Sequence, residues 1–226
     1  MTVRVGKKKR NSDETGVVET PNVAPEKETV LINLGETTKK TRTISLFGHL
    51  DEEEAAYICN SLLYLKETSV EEVYKEPDNL KNDEKVEIVK PINFCISTWG
   101  GDALGMFAVY DLMRVIRKDC DINTLGIGKV MSAGVLLLAA GTKGNRQIGK
   151  NTRVMMHSVR GSHFGALHSL ENEMKETRWI QNQHIKALVS ETNMTERQLR
   201  RMLNKKMDVY LNAEEAVKLG IADMII

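Results

Sequence analysis

Apolar and polar positions along the 226-residue chain alternate over short runs that are separated by longer stretches with helical spacing. Thr43-Ile-Ser-Leu-Phe47 has a period of two and predicts a strand, which Gly48 should break. Asp51 then opens an acidic first turn ahead of an apolar helix running through Leu65. A second strand is expected over Ile92 to Ser97, then a tight turn at Gly100-Gly101. It leads into an amphipathic helix with Leu104, Phe107, Tyr110, Met113 and Ile116 on one face, and a strand over Ile122 to Ile127. That order is a βαβ unit. A short helix follows Ser132, a strand runs from Arg153 to His157, and a long helix spans roughly Leu167 to Glu191, with Leu170, Met174 and Ile185 among its apolar positions. Thr195 and Gln198 suit a capping box, and Asn212 starts a last helix that Gly220 stops. Strands alternating with helices give an α/β fold class. No internal repeat is visible.

Two segments fall outside this rhythm. Residues 1 to about 40 are rich in Lys, Glu, Thr and Asn, carry Pro21 and Pro25, and have few clustered apolar residues, so they predict a flexible arm or propeptide ahead of one domain over 41–226. Lys7-Lys-Lys-Arg10 reads as part of a solvated tail, because acids follow closely. The charged stretch from Lys66 to Lys90, with Pro77, Asp78 and Asn79, predicts a surface excursion between regular elements.

Composition narrows the classes. An apolar fraction of 41% supports one core. Lys and Arg total 32 against 31 Asp and Glu, a balance without the positive footprint that a phosphate backbone demands, so nucleic acid is not the expected partner. Cys59, Cys95 and Cys120 sit among apolar residues with no CxxC spacing, and are expected as buried thiols in a reducing compartment. No apolar run of signal-peptide length follows the basic cluster, and Gly134 to Ala140 is about half the shortest membrane span. The expected setting is the cytoplasm, away from membranes.

Candidate chemistry gathers where strands end. Ser132 stands at the switch from a strand to a helix of Val, Leu and Ala, where free amides and the positive end of the dipole favour a developing oxyanion; the bland alternative is an ordinary N-cap. His157 ends its strand just before the loop Ser158 to Gly165, and Asp208 lies between two helices; each alone has an ordinary structural explanation. The Gly100-Gly101 pair permits close backbone approach. Gly144 to Asn151 nearly matches a phosphate-binding loop, but Asn151 replaces the hydroxyl residue and a strand follows. His157, His163 and His168 have no recognised metal-ligand spacing, so neither metal nor cofactor is expected. Met155 and Met156 read as core filler.

Taken together, four segments in order resemble the proteolytic subunit of the Clp protease, from about Thr43 to Asp223. They are Ser97-Thr-Trp-Gly-Gly101 with Ala108-Val-Tyr-Asp-Leu-Met113; Gly128 to Gly141 around Ser132; Arg153-Val-Met-Met-His157; and Asp208-Val-Tyr-Leu-Asn-Ala-Glu-Glu-Ala216. The resemblance implies a crotonase-like spiral of ββα units. It also implies a Ser132, His157 and Asp208 triad, with an oxyanion hole from the amides of Gly101 and Ala133. An extended polypeptide substrate would lie along Gly100, Gly101, Asp102, Ala103 and Leu104. Further implied are a homo-oligomer of stacked heptameric rings, with the helix from Leu167 between them, and an ATP-driven unfoldase as partner.

Trp99, Ala133 and the length of the excursion depart from the family's usual pattern and bear on the rim and pockets. The first forty residues do not match its axial loops. Alternative readings are an acyl-CoA enzyme of the wider superfamily, a catalytically silent scaffold subunit, and a stand-alone or virus-type maturation protease.

Overall fold

A computed structural model of the chain describes residues 41–75, 84–162, 164–203 and 207–226. The expected N-terminal arm lies outside the described residues. Lys40–Ile226 forms one compact unit.

Its centre is a largely parallel sheet. Strands β1 (Thr43–Leu50), β4 (Ile92–Gly101), β5 (Ile122–Met131), β6 (Arg146–Ile148) and β9 (Met224–Ile225) follow one another in the order β1-β4-β5-β6-β9. Beyond its contact with β6, β5 pairs through Lys129–Met131 with β7 (Arg153–Met156), and β7 pairs antiparallel with β8 (Val209–Leu211). The neighbour of β5 thus changes along its length, from β6 at Thr124–Gly126 to β7 at Lys129–Met131. The α/β class read from the sequence is the observed one.

Three strands run further than the alternation predicts. Gly48 does not end β1: its φ of 88° allows a bulge between Gly48 and His49, the Thr98 hydroxyl donates to the Gly48 carbonyl at 2.7 Å, and the ladder continues to Gly101. For the same reason β4 continues through the glycine pair, and β5 passes a register shift near Gly126 to reach Met131. The stretch from Lys66 to Lys90 is not simply irregular. Val70–Tyr74 (β2) and Lys85–Val89 (β3) form a separate antiparallel pair in which valines and Ile88 are interspersed with charges.

Helices α1 (Glu52–Glu67) and α2 (Ala103–Ile116) pack side by side, and α3 (Ala133–Ala139) lies beneath β4 and β5. All seven residues of α3 are buried, as its apolar sequence requires. Each of its leucines gains roughly 1.5–3 kcal/mol from burial. On α2 the buried set is Met106, Val109, Tyr110, Met113 and Ile116, whereas Leu104 is 58% exposed and Phe107 only half-buried, so the buried face is rotated from the one expected. The long helix α4 (Leu167–Glu191) buries only its C-terminal part, from His184 onward; Met174 is exposed and Ile185 buried. Helices α5 (Glu196–Leu203) and α6 (Ala213–Lys218) follow, both with the expected capping interactions.

Two buried polar clusters fasten the C-terminal half. Glu191 accepts from both terminal nitrogens of Arg117, at 2.7 and 2.8 Å, and from the Tyr110 hydroxyl at 3.0 Å. Arg146 donates to Asp223 and to the carbonyls of Ala139 and Glu191, joining β6, α3, α4 and the C-terminal strand. That contact, followed by amides of Gly144 and Arg146, holds the Asp223 carboxyl below its ordinary range. Cys120 is buried as expected; Cys59 and Cys95 are only half-buried, and all three are free thiols. Among the described residues no helix is long and apolar enough to cross a membrane.

Candidate active site

The switch from β5 to α3 carries the one non-glycine residue with positive φ among the described residues, Ser132, at φ 53° and ψ −118°. Such a conformation costs about 1–3 kcal/mol and persists only where the surroundings impose it. Here they do. The Ser132 amide donates to the Met155 carbonyl at 2.8 Å, and its own carbonyl accepts from Val135 at 3.1 Å. Its hydroxyl makes no capping hydrogen bond, which removes the support for the N-cap alternative.

The glycine pair is pressed against this corner. A Cβ on Gly100, at φ 87°, would fall 2.5 Å from the Ser132 Cβ, 2.8 Å from the Met131 carbonyl and 2.9 Å from the Ala133 amide nitrogen. One on Gly101 would come within 1.9 Å of the Leu50 carbonyl oxygen. Only hydrogen fits at either position, so the turn and the first amide of α3 are contiguous. Asp102 caps α2 by accepting from the Gly105 amide.

His157 leaves the end of β7, and Asp208 immediately precedes β8. Because Met156 pairs with Val209 in the antiparallel ladder, one further step of the register sets His157 opposite Asp208. The carboxylate nevertheless points elsewhere: Asp208 Oδ1 is bound by Arg160, from the loop after His157. The His157 Nδ1 is buried with no hydrogen-bond partner. Among the described residues no hydrogen bond joins His157 to Ser132 or to Asp208.

A cavity of about 460 Å³ collects the residues singled out in the sequence: Gly100, Gly101, Asp102, Ala103, Leu104, Ser132, Ala133 and His157 all line it. Asp208 does not. Trp99, whose ring lies 4.8 Å from the Lys129 ammonium, lines it too, as its departure from the family's pattern suggested, whereas His49, at the bulge of β1, Arg160, and His184, from α4, carried no signal in the sequence. His184 lies in the C-terminal part of α4, between Gln183 and Ile185, and only the burial of that part of the helix reveals it as a buried group. Burial first, then the nearby His157, pushes its imidazole down to about 4. The two half-buried thiols are no rival nucleophiles, because burial pushes both Cys59 and Cys95 up.

A family model for the Clp protease matches residues 80–226. The chain belongs to the Clp protease family. Its fold, the mainly parallel sheet with buried α3, is the α/β arrangement of that family, and membership places the chain among peptide hydrolases. The match takes in β3 through β9, and with them every residue of the candidate site but His49; β1, α1 and β2 precede it. In this Clp protease relative the near-match to a phosphate-binding loop, Gly144 to Asn151, is occupied by β6 and the turn after it, with no helix N-terminus. Among the described residues no group of three or more His, Cys, Asp and Glu side chains could hold a metal ion.

Proposed function

We propose that the chain is a serine endopeptidase acting on extended, unfolded polypeptides through Ser132, His157 and Asp208. The observation that carries this reading is the imposed left-handed backbone of Ser132, with its uncapped hydroxyl at the mouth of a cavity shared with His157. In the reaction Ser132 Oγ attacks the scissile carbonyl while His157 Nε2 accepts its proton. The amides of Gly101 and Ala133 stabilise the oxyanion, and His157 returns the proton to the leaving amine. Water then hydrolyses the acyl-enzyme by the same steps. Each oxyanion donor is worth on the order of 3 kcal/mol in the transition state. Gly100, Asp102, Ala103 and Leu104 line the groove along which the substrate backbone would pair.

The described conformation is a resting one. Asp208 has to leave Arg160 before it can orient His157, a step for which the β7-β8 register supplies the proximity. Family membership supports an assembly of stacked rings enclosing the sites, fed by an ATP-driven unfoldase, and the three free cysteines support a reducing, cytoplasmic setting. The same disengaged Asp208 favours one second reading, a silent subunit that scaffolds an active relative. Labelling with a fluorophosphonate probe separates them. Modification of Ser132, abolished by Ser132→Ala and His157→Ala, is expected; an assembled wild-type protein that stays unlabelled would turn the assignment to the scaffold.

A further inference from the structure

Among the described residues three buried side-chain atoms lack any hydrogen-bond partner: His157 Nδ1, His184 Nε2 and Gln181 Nε2. His157 follows β7, and Gln181 and His184 belong to α4. Gln181 and His184 are three residues apart, so they share one face of the helix. The Gln181 carbonyl oxygen accepts from the Val159 amide at 2.7 Å, which ties that face to the loop that starts at His157. His157 and His184 line the same cavity.

A buried unpaired polar atom is costly, yet the two imidazoles are complementary. One nitrogen has to donate and the other to accept. As a general base His157 needs its lone pair on Nε2 and its hydrogen on Nδ1. In this conformation the carboxylate that would accept that hydrogen is bound to Arg160. We propose that His184 is a second positioning residue for His157: its Nε2 accepts the Nδ1 hydrogen across one bridging water and holds the base-competent tautomer while Asp208 is engaged by Arg160. This rests on the serine peptidase reading. His184 is suited to the role because burial keeps it neutral at ordinary pH, leaving an accepting nitrogen. The other titratable or charged groups facing the cavity are His49 from β1, Asp102 before α2 and Arg160 from the loop after β7.

The test uses the full-length chain as wild type, His184→Leu and His184→Gln, each checked for unchanged assembly and melting. Ring-nitrogen NMR of labelled histidines reads the His157 tautomer, and fluorophosphonate labelling of Ser132 against pH reads the base. The Nδ1–H tautomer should dominate in wild type, be lost in His184→Leu and return in His184→Gln, whose amide oxygen can accept. Labelling of the Leu variant should slow by about three- to tenfold, the loss of one neutral hydrogen bond, with its acidic limb moved to lower pH. Should His184→Leu fail to fold, His184→Met fills similar space without a ring nitrogen and takes its place. A tautomer and pH profile identical in all variants overturns the proposal. If Ser132 is never labelled but the tautomer still follows residue 184, the contact stands and the peptidase reading alone falls.

Discussion

Replacing Arg160 should raise, not lower, the reactivity of Ser132. The guanidinium side chain is 66% exposed and the Asp208 side chain 30%, so their ion pair is closer to a surface bridge than to a buried one. Such pairs contribute about 0–1 kcal/mol. If Asp208 divides its time between Arg160 and His157, deleting the arginine shifts that division by at most about 1 kcal/mol, or roughly fivefold. The assay is the pseudo-first-order rate of fluorophosphonate labelling at Ser132, since a small probe does not depend on chain threading. Arg160→Ala is expected to label up to about fivefold faster than wild type, and Asp208→Asn should erase the difference. Raising ionic strength from about 0.1 M to about 1 M, which shortens the screening length from about 10 Å to about 3 Å, should speed wild type and leave Arg160→Ala nearly unchanged. An Arg160→Ala protein that labels at or below the wild-type rate, with Asp208 intact, would refute the account of Arg160 as the competitor for the carboxylate.

Gly100→Ala should abolish labelling and reduce soluble yield, because its Cβ has no space against Ser132 and Met131; normal labelling would contradict the packing of the corner. Glu191→Ala, which leaves the Arg117 guanidinium without its buried partner, should destabilise by about 3–5 kcal/mol in urea unfolding. Leu137→Ala, in the fully buried α3, should cost about 2–5 kcal/mol in the same assay. His184 predicts an acid sensitivity whose sign follows from a folded-state value of about 4 against 6.5 unfolded. Above pH 6.5 neither state is protonated at this residue and it contributes nothing. As pH falls from 6.5 towards 4 the unfolded chain takes up the proton first, so stability declines by on the order of 3 kcal/mol. His184→Leu should flatten that part of the profile.

The order of the longer strands and helices was legible because their periods differ and turn residues punctuate them, whereas the two- and three-residue strands β6, β8 and β9 are too short to show a period. Ends were harder to read. Gly48 and the Gly100-Gly101 pair look like breaks, but they are places where the ladder bends and resumes, which depends on the neighbouring strand rather than on the glycine. The β2-β3 pair was hidden by charge: each of its faces is too exposed to give a clean alternation. Leu104 was assigned to the buried face of α2 on spacing alone, yet the rim of the cavity leaves it in solvent. At the site, Ser132 and the glycines had local signals, since backbone geometry is a local property. Arg160 and His184 had none, because what matters in them is a contact made across distant parts of the chain.

The β2-β3 excursion has a narrow neck. The Lys90 amide donates to the Ser69 carbonyl at 2.8 Å, and Arg42 braces the same spot through Thr68 and Pro91. The described ends of the excursion, β2 and β3, therefore leave and re-enter the body at a single point, and removing it would open no gap that the chain must stretch to span. Its length is a free variable of this architecture. The twenty residues from Val70 to Val89 can be shortened to a tight turn, or replaced by a reporter whose own ends lie close together, without moving a strand of the main sheet.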